Sequence, residues 1–180
     1  MRTSMNDLFH VLRGSYSGRN LWAHLVAALA TCVIVVLRLD WYYFLYMNEY
    51  VPTVIVIIAD SVGWIVPILL PMALIMAGRQ RKNARLEEAG WTVVRAEVAA
   101  LLIVLLYKAI SGRVSPPIWG PVVDISREFN FGFLRHSVYG GWPSSHTAVA
   151  FATATSLTGV FSRRPLLWWT MFIYAYFIGL

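Results

Sequence analysis

Lys108, Arg113, Ser144, Ser145 and His146 have the types and spacing that binding a phosphate requires. The run Pro143-Ser144-Ser145-His146-Thr147 stands before an apolar stretch, which is a helix-start pattern. The first N–H groups of such a helix lack intrahelical partners. Together with the helix dipole they form an anion site. The serine hydroxyls add donors, and an imidazole can exchange a proton near neutral pH. Lys108 and Arg113 can bring positive charge to the same place, arginine through a fork of donors that fits phosphate oxygens. Each residue also has a plainer reading. Ser144 and Ser145 are good N-caps, and His146 could simply be paired inside a helix bundle. Taken together, the five favour phosphate.

Rival chemistries fit less well. Ser145 and His146 are adjacent, and neighbouring side chains on a helix do not face each other, which argues against a serine-hydrolase pair. The sequence has no Gly-x-Ser-x-Gly elbow. It has no Gly-x4-Gly-Lys-Ser/Thr loop, so nucleotide hydrolysis is not indicated. No cluster of His, Cys or carboxylates has metal-ligand spacing, and neither a metal nor another cofactor is expected.

The elements that must position these residues are apolar. Of 180 residues, 58% are hydrophobic and only 13% are charged. Soluble domains carry about 25% charge, so an ordinary soluble globule is excluded, as is a disordered chain. Cys32 is the single cysteine, and no intrachain disulfide can form. A bilayer core of about 30 Å needs roughly 20 helical residues. Candidate spans are 21–37, 59–77 within the longer apolar run 51–77, 91–108, 144–161 and 166–180. The expected fold is all-α, a polytopic transmembrane helix bundle in one domain over 1–180, with 108–147 as a loop carrying the phosphate site. Asp60 interrupts the second apolar run and is placed near a water interface. The aromatic stretch Trp41–Tyr50 fits an interfacial anchor, or alternatively a wall of a lipid-entry site.

The connectors set an orientation. The net charge of +6 is spread by membrane side rather than gathered in one patch, which argues against a nucleic-acid partner. Arg2, Arg13 and Arg19 precede the first span; Arg79, Arg81, Lys82 and Arg85 follow the second; Arg163 and Arg164 follow the fourth. Basic residues in short loops mark the cytoplasmic side. The expected topology has a cytoplasmic N-terminus, with His10 and His24 on that side and 108–143 outside. The N-terminal stretch lacks a small-x-small cleavage pattern and is read as a retained span.

Phe131-Gly132-Phe133-Leu134-Arg135, followed by Gly141-Trp142-Pro143-Ser144-Ser145-His146-Thr147, resembles the type-2 phosphatidic acid phosphatase family, which shares its core with the vanadium haloperoxidases. Lys108 with Gly112, Arg113 and Pro116 is similar to that family's first motif, Lys-x6-Arg-Pro. Pro143 to His146 is similar to its second, Pro-Ser-Gly-His, with Ser145 replacing glycine. The resemblance covers about 105–151. It implies a six-span bundle, of which five spans are present, and an extracytoplasmic site that hydrolyses lipid phosphate esters or pyrophosphates without metal, through a phosphohistidine. It further implies that Lys108 binds phosphate, that Ser144 and the Ser145 N–H hydrogen-bond it, and that His146 is the general acid. The family's first-motif arginine falls on Ser115, and Arg113 is the available substitute. The third motif, which carries the nucleophilic histidine, is not found before Leu180. The expectation is a front portion of a longer protein, inactive alone. His136 is the one other loop histidine, and a surface role suits it better than a nucleophilic one.

The function expected from these residues is a membrane phosphatase in a bacterial inner membrane. Its substrate would be a phosphorylated lipid such as undecaprenyl diphosphate, phosphatidic acid, phosphatidylglycerol phosphate or a lipid A phosphate. The alternative is a non-catalytic member of the same fold that binds phospholipid headgroups. A small transport or scaffolding subunit would give no reason for the Lys108–His146 group.

Overall fold

The structure is a computed structural model that describes residues 5–114, 123–125, 127–135 and 141–179. Among these residues there are seven helices and no strands: α1 (Met5–Ser15), α2 (Arg19–Val36), α3 (Leu39–Tyr50), α4 (Thr53–Gln80), α5 (Ala84–Ser111), α6 (Ser145–Val160) and α7 (Pro165–Ile178). The all-α expectation therefore holds for the described chain. Two helices, α2 and α4, are long and apolar enough to cross a membrane. α7 is apolar but has 14 residues. α5 has 28 residues but carries Arg95, Glu97 and Lys108 along its length.

Local signals explain the helix ends. The Asn83 side chain accepts from the Leu86 N–H and opens α5. Gly112, at φ 54, ends it in the left-handed conformation that glycine tolerates best. Ser144 opens α6, and Pro165 sits in the first turn of α7. The last carbonyls of α5 are satisfied from the following loop: Gly132 N–H donates to Ile110 O and Leu134 N–H to Ala109 O.

α4, α5, α6 and α7 pack as an antiparallel bundle in chain order, and α4 closes it against α6 and α7. Its core is built from small residues. The buried apolar positions are mostly alanines, among them Ala89, Ala150, Ala154 and Ala175. Gly90 lets α4 approach α5, since a Cβ there would stand 2.6 Å from Ile75 Cγ1 and 2.9 Å from the Pro71 carbonyl. Close approach through small residues is how helices associate when no water drives them together. The outer surface is the reverse: Ile65, Ile68, Leu69, Met72 and Met76 on α4 are all exposed. Large apolar side chains outside and alanine, threonine and lysine inside invert the pattern of a water-soluble domain.

One end of the bundle holds the α4–α5 and α6–α7 turns; Arg85 ties them by donating to Val160 O. The other end, here the loop end, holds the last turn of α5 and the first of α6. The position of α2 corrects the expected topology. His24, in its second turn, bonds Tyr107 Oη at 2.6 Å, one residue before Lys108. The far end of α2 is also held at the loop end, where Arg127 donates to Val36 O at 3.0 Å and Arg38 pairs with Asp124 at 3.2 Å. α2 thus does not run the length of the bundle, and His24 is at the same end as His146, not the opposite one. The charge rule orders loops along the chain and carries no information about which helix packs beside which.

Candidate functional site

The candidate site lies at the loop end, where α6 begins. Ser144 is its N-cap, and the hydroxyl oxygen accepts from the Thr147 N–H at 3.3 Å. Ser145 and His146 are the first helical residues. The plain capping role of Ser144 is therefore filled, and the Ser145 and His146 N–H groups belong to the first turn, where the helix dipole is felt.

His146 is fixed by α4. Its Nδ1 is 3.5 Å from Asp60 Oδ1. Its ring meets Trp64 edge to face, with centroids 4.6 Å apart. Gly63 makes room for it: a Cβ on that glycine would stand 3.4 Å from His146 Cβ and 3.2 Å from Ile178 Cγ2. The other ring nitrogen, Nε2, is enclosed and has no hydrogen-bond partner among the described residues. A buried polar atom without a partner costs about 1–3 kcal/mol, which makes this nitrogen a candidate for a ligand contact.

Two cavities meet at His146. One of about 130 Å³ is lined by Asp60, Ser144 and His146 on its polar side and by Met47, Ile55 and Ile178 on its apolar side. The second, of about 240 Å³, runs inward between Trp64, Pro67, Leu101 and Val149 to Glu97. Thr153 donates to Glu97 at 2.6 Å across the α5–α6 interface.

Lys108 is on the same end, further toward the loop than His146. Glu97 stands opposite Thr153, so seven residues up α6, about 10 Å, His146 is level with Val104. Lys108 is about one turn, roughly 6 Å, further toward the loop. Its side chain is buried at 5% exposure, and it makes no ion pair among the described residues. Neither of the two cavities at His146 is lined by Lys108.

Arg113 is engaged elsewhere. Its Nη2 pairs with Asp40 Oδ2 at the start of α3, and its guanidinium lies over Phe129 at 5.3 Å from the ring centroid. The Arg113 carbonyl abuts Gly141, where φ is 79 and a side chain would collide. That close approach is what brings the loop's two ends together. Ser115, Pro116 and Pro117 of the first-motif likeness, and His136, lie outside the described residues.

Comparison with protein-family models, curated proteins and solved structures returns no match. The functional reading therefore rests on the chain's own residues.

The structure adds three groups to those legible in the sequence. Asp60 and Trp64 contact His146, and Asp40 holds Arg113. A carboxylate inside an apolar run is itself a signal of function, and Asp60 carried that signal. Nothing in the sequence indicated that Asp60 would meet His146, because the two are brought together only by the α4–α6 packing. The arrangement can receive an anion at the α6 N-terminus beside an imidazole that has a carboxylate near its Nδ1, with the lysine about one turn out.

Proposed function

We propose that the chain is an integral membrane phosphatase acting on a lipid phosphate monoester or pyrophosphate, through histidine and without metal. The observation that carries this reading is His146 at the first turn of α6, with Asp60 3.5 Å from its Nδ1, Trp64 against its ring, and Nε2 enclosed and unpartnered among the described residues. The substrate phosphate sits at the N-terminus of α6, against the Ser145 and His146 N–H groups and the Ser144 hydroxyl, with Lys108 supplying charge. Here water attacks the phosphorus directly, so the step needs no third-motif histidine and the chain acts alone, which departs from the expectation drawn from the resemblance. One water is consumed, and orthophosphate and the lipid alcohol are formed. His146 gives its proton to the lipid oxygen as the phosphorus–oxygen bond breaks, and regains one from that water. Phosphoryl transfer depends mainly on such positioned charges and donors.

The bundle spans the bilayer with α4, α5, α6 and α7, and α2 is a further apolar helix associated with the loop end. The residues Arg79, Arg81, Lys82 and Arg85, and the pair Arg163 and Arg164, gather at the end opposite the site. The positive-inside rule puts that end in the cytoplasm and the site outside. Candidate substrates are phosphatidic acid and polyprenyl diphosphates.

A second reading has its own support. Arg113 is held by Asp40, and the described contacts of His146 include no second imidazole. Both facts suit a non-catalytic protein that binds phosphorylated headgroups. One experiment separates the two. The chain is reconstituted in nanodiscs with phosphatidic acid or a polyprenyl diphosphate, and orthophosphate release is followed beside retention of the lipid. Release that His146→Ala abolishes supports the enzyme. Selective retention over phosphatidylcholine, sensitive to Lys108 and without release, supports the binder.

A further inference from the structure

The proposed chemistry needs one nitrogen of His146 to face the substrate and hold a transferable proton. An imidazole free to turn would present either nitrogen. The α4 helix removes that freedom. Asp60 stands at Nδ1, 3.5 Å away, Trp64 packs against the ring edge to face, and Gly63 leaves no side chain between α4 and the histidine. The opposite nitrogen, Nε2, is the one left without a partner among the described residues. Asp60 also lines the smaller cavity together with Ser144, so the carboxylate, the imidazole and the helix cap share one space.

We propose that Asp60 is a positioning residue for His146: its carboxylate accepts the Nδ1–H, fixes the ring and its tautomer, and leaves Nε2 as the nitrogen that serves the phosphate. This rests on the phosphatase reading for its purpose, but the Asp60–His146 link itself does not. A carboxylate set behind a histidine in this way selects the tautomer. Asp60 acts on the phosphate only through His146. Its side chain is 61% exposed, so its removal leaves no large void in the bundle.

The test uses the full chain in nanodiscs, labelled with 15N-histidine. The His146 signals are identified by difference from a His146→Gln spectrum, since the chain has four histidines. In the neutral ring the wild type carries the proton on Nδ1. Asp60→Ala moves it to Nε2, the form that free imidazole prefers, and Asp60→Glu restores the Nδ1 form. An unchanged tautomer in Asp60→Ala overturns the proposal, as does a wild-type ring protonated on Nε2. A parallel turnover assay predicts a kcat loss of about 10- to 100-fold in Asp60→Ala, with KM changed less than about twofold, and recovery in Asp60→Glu. Full turnover in Asp60→Ala also overturns it. If the wild type releases no phosphate, the phosphatase reading fails, and the tautomer measurement still decides the role of Asp60.

Discussion

Lys108 is almost wholly buried, and among the described residues no carboxylate neutralises it. Burying a lysine without a charge partner costs stability, and a bound phosphate would supply that partner. Lys108→Met should therefore weaken retention of phosphatidic acid by at least about tenfold, the scale of a lost charged hydrogen bond. Its thermal unfolding midpoint should stay level or rise. A falling midpoint with unchanged lipid retention would make Lys108 structural. Ser144 gives the opposite pattern. Its hydroxyl caps α6 through Thr147, so Ser144→Ala should cost about 1 kcal/mol of stability, read by thermal unfolding. At this scale the sequence was informative about residue type and poor about partners. Ser144 as a cap was legible, because a cap is a matter of three or four consecutive residues. Asp60 with His146, and Asp40 with Arg113, were not legible, because each pair is separated by more than 70 residues and is joined only by helix packing.

At the scale of elements, the fit between α4 and α5 depends on Gly90. Any side chain there meets Ile75 and the Pro71 carbonyl. Gly90→Val should destabilise the bundle by about 1–3 kcal/mol or more through overpacking. Gly159, also helical, has nothing within 4 Å of a built Cβ. Gly159→Ala should instead be neutral or stabilise by up to about 1 kcal/mol, since alanine is the better helix former. Paired unfolding measurements would check both. Apolar runs located α2, α4, α5, α6 and α7 closely, because hydropathy and caps act locally. They did not resolve the Trp41–Tyr50 stretch as the separate helix α3, which starts just after Arg38 at φ 54 and has no buried residue. Nor did they show that α2 is tied at both ends to the loop end, since that follows from His24, Tyr107 and Arg127 finding each other in space.

For the molecule as a whole, an alanine-rich interior beneath a surface of large apolar side chains fits a bundle solvated by lipid. The basic α4–α5 and α6–α7 turns lie at the end opposite His146. In a Cys32→Ser background, a cysteine at Phe133 should react with an impermeant thiol reagent from outside intact cells, and one at Asn83 should not. Phe133 and Asn83 are both exposed, so burial does not confuse the comparison. The reverse pattern would put the site in the cytoplasm. The proposed function is that a lipid phosphate reacts at the N-terminus of α6 beside His146. Its most direct test is the rate of orthophosphate release from phosphatidic acid in nanodiscs by the wild type and by His146→Gln at equal helical content. The expected result is steady release by the wild type and at least about a hundredfold less by the variant, the contribution of a general acid. Equal rates in the two, or no release by the wild type, would contradict it.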